Sequence, residues 1–430
     1  MTRMSLMIVR GECPGGSAIA VEPRGRNLEC ETDCSGRELR LVESATAASG
    51  RAASPKDGSF RPGHAVCPGV WRRAKAGLAD APTSVQDSRV PATRKWSRLL
   101  QSVPVGVAVL LAVVLTGCTT TQPGALLKRQ GDEIIVAGQL FHTGTRVVTW
   151  MDPGGYDAYR VERRFAAFDQ SSWETSKVAV AALKTPNRYG LRQDNLTPQQ
   201  LESVRGGGWE LPLLREKVDQ FVLHFDAAGT SRQCFNVLHD HRCLSVHFML
   251  DLDGTIYQTL DLKERAWHAT TSNTRSIGIE IANIGAFAPG QQRMFEEWYQ
   301  RDDSGWPRVV VPTRLGPTGI RTPNFVARPA RKDPVQGVVQ GRTLQQYDFT
   351  PEQYAALVKL TATLCKVFPQ LHCDYPRDAE GKLVTGKLPD AALNQYQGVL
   401  GHFHIQSNKV DPGPALQWER VIGGAKKLLR

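Results

Sequence analysis

The chain has 430 residues, 41% of them hydrophobic and 22% charged, which is typical of folded proteins and long enough for about two or three domains. Its net charge of +11 suggests nucleic-acid binding, but residues 1–100 alone hold 16 Lys and Arg against 10 Asp and Glu. The rest of the chain is only mildly basic, so no nucleic-acid partner is expected.

Residues 1–90 show no sustained helical or strand periodicity and are rich in Gly, Pro, Ser and Arg. We expect this segment to be disordered or a mis-assigned, untranslated N-terminal extension. Cys30 and Cys34 have a spacing that metal ligands can show, yet no matching pair of Cys or His follows. A metal site is therefore not expected there.

Residues 91–118 have the order of a secretory signal. A basic cluster at 94–98 precedes an apolar run at 103–115, which is too short for a stable membrane span. The following Leu-Thr-Gly-Cys is similar to a bacterial lipobox and predicts a lipidated Cys118 as the first mature residue. The alternative is an internal core helix that happens to end in Cys.

This signal predicts a periplasmic protein that is attached to a membrane through a lipid anchor. Thr119 stands where enteric-type lipoproteins retained in the inner membrane carry Asp, so the outer membrane is the expected location. Residues 119–210 then form a tether and a small lead-in region of unassigned role. They include predicted helices at 171–183 and 197–204, the second opened by a capping-box pattern.

Residues 211–430 alternate strand and helix patterns. Apolar runs at 220–225 and 276–283 predict buried strands, Asp253-Gly254 predicts a hairpin turn, and Thr350 predicts the start of a long helix. We expect an α/β fold with a mixed central β-sheet flanked by helices. The Pro-, Arg- and Gly-rich stretch 286–346 exceeds the usual loop length, so it is predicted to be an insertion that is disordered or walls the substrate groove.

Four further cysteines lie beyond Cys118 and form two close pairs. In an oxidising compartment these pairs predict the disulfides Cys234–Cys243 and Cys365–Cys373, with free buried thiols as the alternative.

The C-terminal stretch 401–414 contains several side chains that can bind a metal or take part in catalysis. His402, Lys409 and Asp411 fall within ten residues and precede Pro-Gly-Pro, which favours a rigid turn. Imidazole and carboxylate both suit zinc, but a catalytic site needs three protein ligands and an open position. His224, near the C-terminal end of the first buried strand, is the candidate third ligand, because ligands of α/β sheets collect at that end. Glu280 in the second strand is a candidate base.

Together these stretches resemble the zinc-dependent N-acetylmuramoyl-L-alanine amidases of type 2, a family that includes AmpD-type enzymes, phage lysozyme-type amidases and peptidoglycan recognition proteins. The resemblance covers roughly residues 215–290 and 350–425. The residues that carry it are His224, Trp267-His268-Ala269, Asn273, Ser276-Ile277-Gly278-Ile279-Glu280, His402 and Lys409-Val410-Asp411-Pro412-Gly413-Pro414.

The resemblance implies a reaction and a role for each residue. Zinc held by His224, His402 and Asp411 would activate water, Glu280 would accept and return its proton, and Lys409 would stabilise the oxyanion. The bond cut would join the lactyl group of N-acetylmuramic acid to L-alanine of the stem peptide. Peptidoglycan or muropeptides would be the partner, and a monomer is expected.

The same resemblance predicts a saccharide–peptide groove lined by Trp267, His268 and Asn273, with a purely structural role for His268 equally open. Val246 stands where phage lysozyme-type amidases have Tyr, and Glu280 is present, so the resemblance is to the AmpD-type branch. His247 is interpreted as a core histidine outside the metal site.

Two alternatives remain for the function. One is a non-catalytic peptidoglycan-binding module, and the other is a zinc peptidase acting on the stem peptide. The binding modules of this superfamily have lost zinc ligands, whereas His224, His402, Asp411 and Glu280 are all present here. The sequence therefore favours an enzyme.

Overall fold

The computed structural model describes residues 19–21, 27–29, 122–160, 162–171, 174, 189–291 and 293–430. The chain divides into two units, Met1–Ala112 and Val113–Arg430. In the first, β1 (Ile19–Val21) and β2 (Asn27–Glu29) pair antiparallel, inside a segment for which no regular structure was predicted. The predicted signal segment with Cys118 and most of the predicted helix at 171–183 lie outside the described residues.

The second unit contains both strands and helices. Its strands are β3 (Glu133–Val136), β4 (Gln139–His142), β5 (Val147–Thr149), β6 (Tyr189–Leu191), β7 (Gln220–Phe225), β8 (Phe248–Leu250), β9 (Ile256–Gln258), β10 (Glu264–Ala266), β11 (Ser276–Ile281), β12 (Tyr299–Arg301), β13 (Pro307–Val309), β14 (Val335–Val339), β15 (Arg342–Gln346) and β16 (Gly398–Gly401). Its helices include α1 (Pro198–Gly207), α2 (Leu211–Lys217), α3 (Ser231–Phe235), α4 (Arg293–Trp298), α5 (Pro351–Val367), α6 (Asp390–Gln395) and α7 (Trp418–Leu428). No helix in these described stretches is long and apolar enough to cross a membrane.

A mixed six-stranded sheet in the order β16-β7-β11-β8-β9-β5 lies at the centre, as the sequence predicted. β7 runs parallel to both β11 and β16, and the register places Glu280 opposite His224. β16 ends at Gly401, so His402 follows the strand directly. Because the carboxyl ends of parallel strands meet at one edge of a sheet, three chemically active side chains are brought to the same edge.

The sheet is buried beneath helices. Phe221 and Leu223 of β7 and their partners Ile277 and Ile279 of β11 lie on one face of the sheet and are fully buried. They belong to one core cluster that also includes apolar residues of α5 and α7. The predicted capping box of α5 is present, since the Thr350 side chain accepts from the backbone of the third helical residue and its own N–H is bonded in return.

The lead-in region is part of the same packing unit as the sheet. β5 pairs in parallel with β9 as an edge strand of the sheet, and β6 pairs with β10. Ile134 and Val136 of β3 belong to the main core cluster. The predicted division at 210/211 therefore does not coincide with a break in the core.

The insertion 286–346 has regular structure in its described residues. It contains α4 and two antiparallel pairs, β12–β13 and β14–β15. The alternative of a disordered stretch is wrong for these residues, because Phe295 and Trp298 of the insertion pack with Tyr347 in a small apolar cluster.

Candidate functional site

Two imidazoles and one carboxylate converge at the sheet edge. The Nδ1 atoms of His224 and His402 lie 2.8 Å and 2.9 Å from the same oxygen, Oδ2 of Asp411. One ligand atom from each residue lies within 4.8 Å of the other two, and all three residues are buried. The structure thus brings together the three residues predicted to bind metal.

The remaining ring nitrogens are held by neighbours. Nε2 of His224 is 3.0 Å from Nδ1 of His268, and Nε2 of His402 is 2.7 Å from Oε1 of Gln406. With these Nε2 atoms in contact with their neighbours, both rings direct Nδ1 toward Oδ2 of Asp411. Such outer contacts fix the ring orientation of a metal-binding histidine.

The protonation states suit a cation. Burial, together with the proximity of His402, lowers the pKa of His224 to about 4, so this ring is neutral at neutral pH. Burial alone would raise the pKa of Asp411, but its electrostatic interactions and hydrogen bonds with the His402 and His224 rings outweigh this effect and lower that pKa. A neutral imidazole, as in His224, and an ionised carboxylate, as in Asp411, are forms in which these side chains bind zinc, so this donor set of two imidazoles and one carboxylate fits the metal.

Glu280 lies beside this cluster without joining it. Burial, reinforced by the negative charges of Asp411 and Asp226, raises the pKa of Glu280 well above its ordinary value. A carboxyl group with a raised pKa can accept and return a proton near neutral pH. Glu280 lies outside the group of three converging residues and lines the same cleft, and its role in proton transfer stays a prediction.

An open cleft of about 590 Å³ leads to the cluster. Trp267, His268, Asn273, Glu280 and Lys409 line it together with the three converging residues. The described residues that line it fall between 224 and 280 and between 402 and 411. None of the described residues of the insertion 286–346 lines this cleft, contrary to expectation. The insertion instead contacts the loop that carries His402 and Asp411.

Two predicted groove residues also have structural contacts. Oδ1 of the buried Asn273 accepts hydrogen bonds from the backbone N–H groups of His268 and Ala269, at 3.0 Å and 2.7 Å. His268 packs beneath His224 and over Gly278, where a Cβ atom would lie 2.5 Å from its ring. Its contact with His224 makes it an orienting group as well as a cleft residue.

Sequence reasoning missed two arginines of the cleft, Arg242 and Arg265. The guanidinium of Arg265 lies over the Trp267 ring, 4.8 Å from its centroid, and its Nε donates to Oγ1 of Thr274. Neither arginine belongs to a motif, and only the fold shows that both face the site.

His247 lies outside the ligand cluster, as predicted. Its Nδ1 accepts from the Gly278 N–H, and Nε2 is 2.9 Å from the Glu264 carbonyl. Burial and the charge of Arg192 lower the pKa of His247 to about 3. Arg192, also missed, is fully buried and donates to the carbonyls of residues 262, 273, 274 and 276, so it holds the loop that carries the groove residues.

The structure contains neither predicted disulfide, since all four cysteines are free thiols. Sγ of Cys243 instead accepts a hydrogen bond of 2.9 Å from the Arg163 guanidinium. The thiols of Cys365 and Cys373 contact each other, and their hydrogen bond raises the pKa of Cys365.

Residues 214–414 match the model of a protein family described as N-acetylmuramoyl-L-alanine amidase. The chain contains a type 2 N-acetylmuramoyl-L-alanine amidase domain. It is an enzyme of peptidoglycan processing, and the matched range includes every converging residue described above. No curated protein matches the chain.

Several solved amidase structures resemble the domain. A selenomethionine derivative of AmpD is 17% identical and matches 49% of this chain and 86% of its own, with a TM-score of 0.24. The amidase LysC from Clostridium intestinale URNW is 16% identical and matches 50% of this chain and 89% of its own, with a TM-score of 0.26. AmiD from E. coli is 19% identical and matches 48% of this chain and 57% of its own, also with a TM-score of 0.26. These values are too low to transfer the role of any residue.

Proposed function

We propose that the amidase domain is zinc-dependent and hydrolyses the bond between the lactyl group of N-acetylmuramic acid and L-alanine. The observation that carries this proposal is the convergence of His224, His402 and Asp411 at the end of an open cleft. When bound there, zinc supplies a Lewis acid that lowers the pKa of a water molecule from 15.7 toward about 7. Three protein ligands would leave one position of a four-coordinate zinc for water, as hydrolysis requires.

Each remaining step is assigned to a side chain of the cleft. Glu280, whose pKa burial raises, accepts a proton from the attacking water and later delivers it to the departing amine. Lys409 lines the same cleft and stabilises the negative charge that develops on the carbonyl oxygen. Trp267, with Arg265 over its ring, offers an apolar surface with a cation beside it for the saccharide–peptide junction.

The proposed substrates are muropeptides or peptidoglycan, in cell-wall turnover or recycling. AmiD was crystallised with anhydro-N-acetylmuramic acid-L-Ala-D-γ-Glu-L-Lys. A γ-linked Glu keeps a free carboxylate, and Arg242 and Arg265 place cations in the cleft for a substrate of this class.

We also propose that the protein acts as a monomer in the periplasm, anchored to the outer membrane through Cys118. Cys118→Ala would then release it from the membrane fraction, and unchanged fractionation would contradict the anchor.

Two substitutions test the proposed division of roles. Glu280→Gln keeps the side-chain volume and removes the base, so it should retain zinc while the rate falls by about two to four orders of magnitude. Asp411→Ala removes a ligand and should lose zinc and activity together. Zinc content by atomic spectroscopy, measured beside the rate of peptide release, distinguishes the two effects.

Specific outcomes would reject this assignment. Loss of zinc from Glu280→Gln would make Glu280 a ligand, and a rate near that of the wild type would remove it from the reaction. Wild-type protein that binds muropeptide and leaves it intact would support the binding-module alternative. Cleavage between stem-peptide amino acids would support the peptidase alternative.

A further inference from the structure

The hairpin β14–β15, at the end of the insertion, contacts the loop that carries His402 and Asp411. At its tip, the Gln340 Nε2 group donates to the carbonyls of Phe403 and Gln406, at 2.7 Å and 3.0 Å. Gln406 is the residue whose Oε1 holds His402 Nε2. The tip of the hairpin therefore secures the backbone on both sides of the turn that orients the His402 ring.

The base of the same hairpin holds the other end of the loop. Gln346 is fully buried. Its Oε1 accepts from the Ala415 N–H at 3.0 Å, and its Nε2 donates to the Pro412 carbonyl at 3.1 Å. The amide thus closes the turn that immediately follows Asp411.

The contacts continue from Gln346 to the ends of the central strands. Its Nε2 also lies 3.4 Å from Oδ1 of Asn283, three residues after Glu280. The Asn283 N–H donates to Oδ1 of Asp226, two residues after His224, at 3.0 Å. A series of hydrogen bonds therefore connects the segments that follow His224, Glu280 and Asp411.

The two surfaces fit without room for additional atoms. A Cβ atom at Gly413 would lie 2.1 Å from Oε1 of Gln346, and one at Gly337 would lie 2.7 Å from Cβ of Pro414. Gly413 also has a φ of +85°, which only glycine adopts without strain. The turn after Asp411 and the hairpin are matched in shape as well as in hydrogen bonding.

We propose that the hairpin Val335–Gln346 is a brace that sets the positions of His402 and Asp411, with Gln340 and Gln346 as positioning residues. The ligands lie on a loop, and a metal centre needs its ligands held by surrounding contacts. The brace holds that loop at its two ends. This inference rests on the proposed zinc site.

Zinc affinity of the full-length protein tests the brace. The dissociation constant is measured by competition with a chromogenic chelator, and Co²⁺ spectra report the coordination geometry. Gln346→Ala and Gln340→Ala should each weaken zinc binding by about 10–100-fold, the usual effect of removing a contact that orients a ligand. Gln336→Ala is the matched control, because the exposed side chain of this hairpin residue bonds to that of Gln345 and, among the described residues, makes no hydrogen bond to the loop of His402 and Asp411. Its zinc affinity should match that of the wild type.

The unfolding midpoint of the metal-free protein separates positioning from simple destabilisation. A purely structural role would lower that midpoint and leave the zinc affinity and the Co²⁺ spectrum of folded protein unchanged, which would overturn the brace. If Gln346→Ala does not fold, Gln340→Ala at the half-buried tip decides alone. Wild-type protein that binds no zinc would instead refute the proposed function itself.

Discussion

Replacing Gly413 with alanine should perturb the ligand-bearing turn in a measurable way. At φ +85° a Cβ atom adds strain of roughly 1–2 kcal/mol. It would also lie 2.1 Å from Oε1 of Gln346, an amide that cannot retreat without losing its bonds to Ala415 and Pro412. Each lost bond adds about 0.5–1.5 kcal/mol. We therefore expect a total destabilisation of about 2–5 kcal/mol.

Gly341→Ala isolates the contribution of the clash. Gly341 has a φ of +69° and nothing within 4 Å of its Cβ position. The alanine variant should therefore lose only the roughly 1–2 kcal/mol of unfolding free energy that backbone strain costs. Urea unfolding of the metal-free variants measures both values, and chelator competition adds the zinc affinity. Equal destabilisation and equal zinc affinity in the two variants would refute the close fit between Gly413 and Gln346.

Other regions give further predictions. Burial raises the pKa of Asp251 from 3.8 to about 7, so its contribution to stability is complete below the unfolded-state pKa and is lost as the pH rises through about 7. The decline amounts to about 4 kcal/mol of unfolding free energy between roughly pH 4 and pH 7. Asp251→Asn should flatten it in urea unfolding at several pH values, and an unchanged slope would contradict this prediction. Arg192→Lys should cost about 2–4 kcal/mol of unfolding free energy, because one ammonium cannot satisfy four buried carbonyls, and a loss within experimental error would show that those bonds are dispensable. Mild oxidation should join Cys365 to Cys373, because their thiols form a hydrogen bond. After alkylation without reduction, the intact mass of the oxidised protein should show two fewer modified thiols than that of the reduced protein. An equal number of modified thiols in both would argue against the bridge.

The central sheet and much of the candidate site could be predicted because their signals are local. The apolar runs around His224 and Glu280 identify buried strands, and the sheet order explains why both residues reach one edge. The cap at Thr350 is likewise contained in four consecutive residues. Asp411 followed by Pro-Gly-Pro is a short pattern of the same kind.

The supporting contacts could not be predicted, because they join residues far apart in sequence. Gln346 and Pro412 are separated by 66 positions, and Arg192 and Ser276 by 84. A lone Gln or Arg in a polar segment has no periodicity that indicates burial. For the same reason the pairing of β5 with β9 and the packing of the insertion on the ligand loop appear only in the fold.

The most direct measurement is product analysis with the metal controlled. Full-length protein is stripped of metal with a chelator, re-supplied with Zn²⁺ or with buffer, and incubated with a muropeptide whose products are identified by mass spectrometry. Zinc-dependent hydrolysis predicts an intact stem peptide with a free L-alanine amine and a saccharide with a free lactyl carboxylate, formed only in the zinc-supplied sample. Equal cleavage by the stripped protein, or products cut at another bond, would contradict it.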